Sequence, residues 1–238
     1  MKGVTMMTDK GYVNAQLLIS AEELSGKLDD ESICIVDTRQ THEYVEGHIP
    51  GAIHLDLFGL SLNETSEKPF KAFMWTIGYL FSQRGVDPTK KIVWYDDISG
   101  VRSARGFWFC EYLGHESVQV LDGGFSAWVA AGGRVSTEAV EPGDVPQFPD
   151  NPQPETHMDA DTIQQLLSQD DFAVLDTRTD DEHYARVARS ARAGAIPGSI
   201  HVEWLNNLDD QGAFKPAAEL RAMYEAVGIT PEKRVMCY

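Results

Sequence analysis

Short apolar runs alternate with longer amphipathic stretches along this chain. Ile33–Val36, Ile92–Tyr95 and Val118–Leu121 are rich in β-branched and aromatic residues, as expected of strands buried on both faces of a parallel sheet. Ala21–Leu28, Lys71–Gln83, Ser103–Tyr112 and Ala217–Val227 repeat their apolar residues at helical spacing. Strands alternating with helices predict an α/β fold, a mainly parallel sheet with helices on both faces. In such sheets ligands collect at the C-terminal ends of strands, where loops lead into helix N-termini.

The pattern occurs twice. Asp37-Thr38-Arg39, Glu43-Tyr44 and Gly47-His48-Ile49-Pro50-Gly51-Ala52 are followed by Asp176-Thr177-Arg178, Glu182-His183-Tyr184 and Gly194-Ala195-Ile196-Pro197-Gly198-Ser199. The offset is 139 at the aspartates and 147 at the prolines, so the second copy carries a net insertion of 8 residues around Arg186–Ser190. Gly85–Ile92 then matches Gly228–Val235 without gaps at an offset of 143. A colinear match of this extent predicts duplicated domains. Between the copies, Pro142, Pro146, Pro149, Pro152 and Pro154 lie among acidic residues without helical periodicity. Proline fixes φ and removes backbone donors, so this stretch is expected to be an extended linker. The predicted division is 1–134, a linker at 135–155, and 156–238.

With 238 residues the chain is long enough for two domains. Its 37 acidic against 20 basic residues give a net charge of −17 and a pI near 4.7. Such a field repels nucleic-acid backbones and anionic membranes, so neither is an expected partner. No apolar run approaches the ~18 residues of a membrane span, and Met1–Tyr12 lacks the layout of a signal peptide. Cys34, Cys110 and Cys237 have no metal-ligand spacing, which predicts a reduced, cytoplasmic setting and no metal or cofactor.

Tyr95-Asp96-Asp97-Ile98-Ser99-Gly100-Val101-Arg102 links a predicted strand to a predicted helix. Gly100 would permit positive φ, and successive N–H groups at a helix start can cradle an anion. A cysteine in such a cradle would be held as thiolate. Here Asp96 and Asp97 stand at the position, and a carboxylate accepts sulfur poorly. The loop could equally be an ordinary capped helix start. Arg178 could bind an anion through its guanidinium fork or pair with Asp176 or Glu182.

Asp-Thr-Arg, Glu-Tyr, Gly-His-Ile-Pro-Gly-Ala, the strand–loop–helix and Val120-Leu121-Asp122-Gly123-Gly124-Phe125-Ser126-Ala127-Trp128 together resemble a rhodanese domain. The tandem arrangement resembles the two-domain thiosulfate and 3-mercaptopyruvate sulfurtransferases. The resemblance implies two tandem rhodanese-like domains, the first catalytically silent with Tyr95-Asp96 in place of the cysteine. It implies a second-domain cysteine that takes a sulfane sulfur from a small anionic donor as a persulfide. The acceptor would be cyanide or a thiol, and Arg178 would hold the donor. A non-catalytic rhodanese-fold module that binds a partner or small anion is the alternative.

The nucleophile itself is expected beyond Tyr238. The gapless match pairs Trp94 with Cys237 and Tyr95 with Tyr238, so Asp96 falls opposite the next residue. Counting back from Arg102 as in a Cys-x4-Arg loop selects the residue after that. By this register the second domain is incomplete at Tyr238. Cys237, the fallback nucleophile, is expected inside the last strand as a buried, inert thiol.

Overall fold

The computed structural model describes residues 9–62 and 64–238; of the Met1–Tyr12 segment, residues 1–8 lie outside the described residues. The chain divides into two compact units. The first comprises Asp9, Val13–His157 and Asp210–Phe214 of the described residues, and the second Lys10–Tyr12, Met158–Asp209 and Lys215–Tyr238. The proline-rich stretch therefore counts with the first unit.

In the first unit the strands are β1 (Leu18–Ile19), β2 (Ile33–Asp37), β3 (Ile53–His54), β4 (Lys91–Tyr95) and β5 (Val118–Leu121). They form one sheet in the order β1-β5-β4-β2-β3, every pair parallel. The helices are α1 (Ala21–Ser25), α2 (Thr41–Glu46), α3 (Glu67–Gln83), α4 (Val101–Tyr112) and α5 (Gly124–Ala130). Alternate residues of the central strands enter two cores, because successive side chains of a strand point to opposite faces. Cys34, Val36, Ile92 and Trp94 pack with Met74, Ile77 and Phe81 of α3 and Phe109 of α4. Ile35, Val93 and Tyr95 pack with Leu24 of α1 and Trp128 of α5. The apolar runs are continuous because both faces are covered.

Residues 135–155 are extended and lie against this unit. Phe148 is buried, its ring edge-on to Phe81 at 5.0 Å. Its N–H donates to Ser82 Oγ (2.7 Å), and the Gln153 N–H donates to the Tyr112 carbonyl (2.8 Å).

In the second unit α6 (Ala160–Leu166), β6 (Phe172–Asp176), α7 (Asp180–His183), β7 (Ile200–His201), α8 (Ala217–Ala226) and β8 (Arg234–Cys237) follow the repeat. The sheet order is β7-β6-β8, both pairs parallel. All of β6 is buried. A reciprocal capping box between Thr179 and Glu182 starts α7. The insertion after it runs through turns and bends, opened by Ala185 at φ 60°.

Candidate active site

The turn Asp176-Thr177-Arg178 leaves the C-terminal end of β6, and its centre is the fully buried Asp176 carboxylate. Arg178 donates to Oδ1 from Nε (2.9 Å) and from its backbone N–H (3.1 Å), and to Oδ2 from Nη2 (2.7 Å). Nη2 also donates to the Gly194 carbonyl at 2.9 Å. His183 Nδ1 donates to Oδ2 at 2.9 Å, and the Tyr238 hydroxyl bonds the same carboxylate. Burial pushes the Asp176 carboxyl upward, but the bonds from Arg178, His183 and Tyr238 prevail and hold it well below the usual carboxylate range. The bond to Asp176 in turn raises Arg178 above its ordinary value. Of the two ion-pair partners open to Arg178, Asp176 is the one it takes; Glu182 accepts from Thr179 Oγ1 (2.8 Å) and pairs with Arg189 (3.1 Å).

The first unit repeats this arrangement around Asp37. Arg39 donates through Nη2 to Asp37 Oδ2 (2.7 Å) and to the Gly47 carbonyl (2.6 Å). Tyr95 and Tyr238 occupy equivalent places. The Thr38 and Thr177 N–H groups donate to their carbonyls, and the Ile49 and Ile196 N–H groups to their hydroxyls. These matched contacts set Tyr238 opposite Tyr95 in three dimensions.

Phe125, which covers Arg39, belongs to the part of the first copy whose counterpart would follow Tyr238. The Arg39 guanidinium lies 3.8 Å from the Phe125 ring centroid, and 4% of its side chain is exposed. Arg178 lies beside the Tyr238 ring at 4.8 Å and keeps 30% of its side chain exposed. Nε and Nη2 of Arg178 are committed to Asp176 and Gly194, and the guanidinium also bonds the Tyr238 side chain.

The Asp96 carboxylate fills the loop that follows β4. Oδ1 accepts the Asp97 N–H (2.9 Å) and Oδ2 accepts the Arg102 N–H (3.2 Å). Burial raises both the Asp96 and Asp97 carboxyls above their ordinary value. Gly100 does not adopt the positive φ that the sequence suggested: φ is −105°. Glycine is required there for space, since a Cβ would meet Asp96 Oδ2 at 2.5 Å.

The cysteines divide by environment. Cys34 and Cys110 are buried, and burial pushes both thiols up. Cys237 lies on β8 opposite Leu175, but as an exposed residue, which corrects the expectation of a buried one. β8 is the counterpart of β4, which β5 flanks in the first unit, and the described residues hold no strand on that side of β8. Partial desolvation still raises its thiol, the opposite of activation.

Sequence reasoning missed a cluster. Asp176, His183 and His201 present ligating atoms all within 4.8 Å of one another. The signal was available: at the offset of 139, His183 stands where the first copy has Tyr44.

Known proteins share this sequence and architecture. Residues 20–131 match the profile of the Rhodanese-like domain. The chain is 29% identical over 227 residues to a thiosulfate sulfurtransferase of Pseudomonas aeruginosa, covering 95% of this chain and 83% of that protein. It is 30% identical over 239 residues to a probable 3-mercaptopyruvate sulfurtransferase of the same species, covering 90% and 80%. Among solved structures, SseA from Escherichia coli, described under the "Rhodanese" fold of 3-mercaptopyruvate sulfotransferases, superposes with a TM-score of 0.80. That match has 25% identity over 93% of this chain and 87% of SseA. Among the described residues no helix is long and apolar enough to cross a membrane.

Proposed function

The chain belongs to the rhodanese-like sulfurtransferases, and from that membership we propose that it moves a sulfane sulfur from thiosulfate or 3-mercaptopyruvate to cyanide or a thiol through a cysteine persulfide. In this reading residues 1–134 form a silent domain, 135–155 a linker, and 156–238 the first part of the catalytic domain. The observation that carries it is the Asp176–Arg178–Tyr238 arrangement, which sets Arg178 at the C-terminal end of β6 beside the place where the repeat expects the nucleophile loop. The Arg178 guanidinium would hold the sulfonate of thiosulfate or the carboxylate of 3-mercaptopyruvate.

The nucleophile is a cysteine one or two residues after Tyr238, where the repeat puts the counterparts of Asp96 and Asp97. Its thiolate attacks the outer sulfur of thiosulfate, the S–S bond breaks, and sulfite leaves with the bonding electrons. With 3-mercaptopyruvate the C–S bond breaks instead, and pyruvate leaves as its enolate and takes up a proton. Cyanide or a thiolate then attacks the persulfide's outer sulfur and releases the cysteine thiolate. Asp96, a carboxylate already bonded by two backbone N–H groups, cannot enter this cycle. A reducing compartment suits the chain, whose three cysteines are all free.

Mass spectrometry of the intact protein after donor treatment tests this assignment. One added sulfur is expected on a cysteine following Tyr238, with Cys34 and Cys110 unmodified and Cys237→Ser still active. Loss of all transfer in a folded Cys237→Ser variant would make Cys237 the nucleophile and refute the register.

A further inference from the structure

The second unit departs from the first at two positions around one carboxylate. In the first unit Tyr44 stacks on His48 at 3.8 Å and donates its hydroxyl to the Ala52 carbonyl. No imidazole bonds Asp37 there; its carboxylate receives Arg39 and Tyr95. In the second unit His183 replaces Tyr44, and Ala195 replaces His48. Tyr44 also packs on His54, the counterpart of His201, at 4.9 Å and 33°. With Ala195 in place of His48, the ring of His183 keeps only the His201 side and stacks there more closely, with centroids 4.3 Å apart and planes 11° from parallel. Its Nδ1 now points at Asp176 Oδ2. The second copy thus exchanges a phenol, which ligates metals poorly, for a nitrogen ligand aimed at a buried carboxylate.

We propose that Asp176, His183 and His201 form a binding site for a first-row divalent ion of the zinc class. Two imidazoles and one carboxylate are the donor set that borderline ions such as Zn²⁺ prefer, with remaining positions left to water. The three groups converge at the end of β6 with their ligating atoms within 4.8 Å, and a turn of one imidazole closes that span to the ~3.4 Å that separates ligands about 2.1 Å from a tetrahedral ion. His183 and His201 keep 16% and 12% of their side chains exposed, so an ion can reach them from solvent.

Binding requires one rearrangement. Rings stacked face to face cannot both hold a single ion in their planes, so His201 turns about Cβ–Cγ and leaves the stack. It gives up the 3.1 Å bond from Nδ1 to the Asp176 carbonyl and the 2.8 Å bond from Nε2 to Asp180 Oδ1; the Asp180 side chain is 64% exposed, so water replaces the second. His183 frees its Nδ1 lone pair by carrying its proton on Nε2, a change of tautomer with no net proton transfer. The ion takes Oδ2 of Asp176, while Arg178 keeps Oδ1 through Nε and its backbone N–H. Because Arg178 shares the carboxylate, the expected dissociation constant is roughly micromolar rather than that of a closed structural site.

The site stands apart from the sulfur-transfer reading, and its test does not use activity. Zn²⁺ is titrated by calorimetry into the intact chain carrying Cys237→Ser, with the cysteine proposed after Tyr238 also replaced by serine, which removes both thiols as competing ligands. Co²⁺ absorption serves as a second probe. One bound ion is expected, with the imidazole nitrogen resonances of His183 and His201 shifting in ¹⁵N NMR. His183→Tyr, which installs the first copy's residue, and His201→Gln should each weaken binding at least ~tenfold. The proposal is overturned if the parent binds no ion at about 100 μM, if both variants bind as tightly as the parent, or if Zn²⁺ shifts other histidines and leaves these two unmoved. The NMR result decides the matter should either variant fail to fold.

Discussion

Replacing Arg178 with alanine separates an anion-binding role from a purely structural one. The substitution removes the Nε and Nη2 bonds to a buried carboxylate, and the bonds from His183 and Tyr238 remain. Breaking a buried pair at one partner costs about 3–5 kcal/mol, and the bonds that remain to Asp176 put the loss at the lower end. Arg39→Ala removes the same kind of bonds from Asp37, together with the packing of Phe125 on the guanidinium. Both variants should therefore unfold at lower urea. They should differ in donor kinetics. One charge-assisted contact to the donor is worth ~1.5–3 kcal/mol, which converts to a rise of roughly 10- to 150-fold in KM. Steady-state assays of the intact protein with varied thiosulfate should show that rise for Arg178→Ala and less than about a twofold change for Arg39→Ala. Arg178→Lys keeps the charge without the fork and should fall between. An unchanged KM in folded Arg178→Ala would mean that Arg178 binds no donor.

Two further outcomes follow from the first unit. Gly106→Ala on α4 would put a Cβ at 2.5 Å from Trp94 Cδ2 and Cε3, on a fully buried indole that has no room to yield. Overpacking of this kind should cost about 1–3 kcal/mol by urea denaturation, and a variant as stable as the parent would show that α4 can lift off β4 freely. Burial lowers the His115 pKa below its ordinary 6.5, so the unfolded chain takes up that proton first as pH falls. The stability His115 contributes is complete above pH 6.5 and is lost on acidification; the Tm decrease between about pH 7 and 5 should be smaller in His115→Gln.

The central strands were legible because burial on both faces leaves an unbroken apolar run, and Ile33–Val36 and Ile92–Tyr95 show one. The turn to Arg178 was legible because the chain writes it twice. What escaped the sequence depended on neighbours in space. Prolines mark 135–155 as extended, but only the structure shows Phe148 anchoring that stretch beside Phe81. Register fixed Cys237 within a strand, yet its exposure depends on what flanks β8. Gly100 read as conformational freedom and proved to be room for the Asp96 carboxylate. The same duplication offers a way past this limit. Both copies build one scaffold, with Asp37 and Asp176 each bound by an arginine and a tyrosine. Shared positions therefore carry the fold, and chemistry peculiar to the second copy has to originate where the copies differ. Those places include Tyr44 against His183, His48 against Ala195, and the insertion after Tyr184. Exchanging these residues between copies, one at a time, is thus a more direct route to the function of the second unit than any substitution at the positions they share.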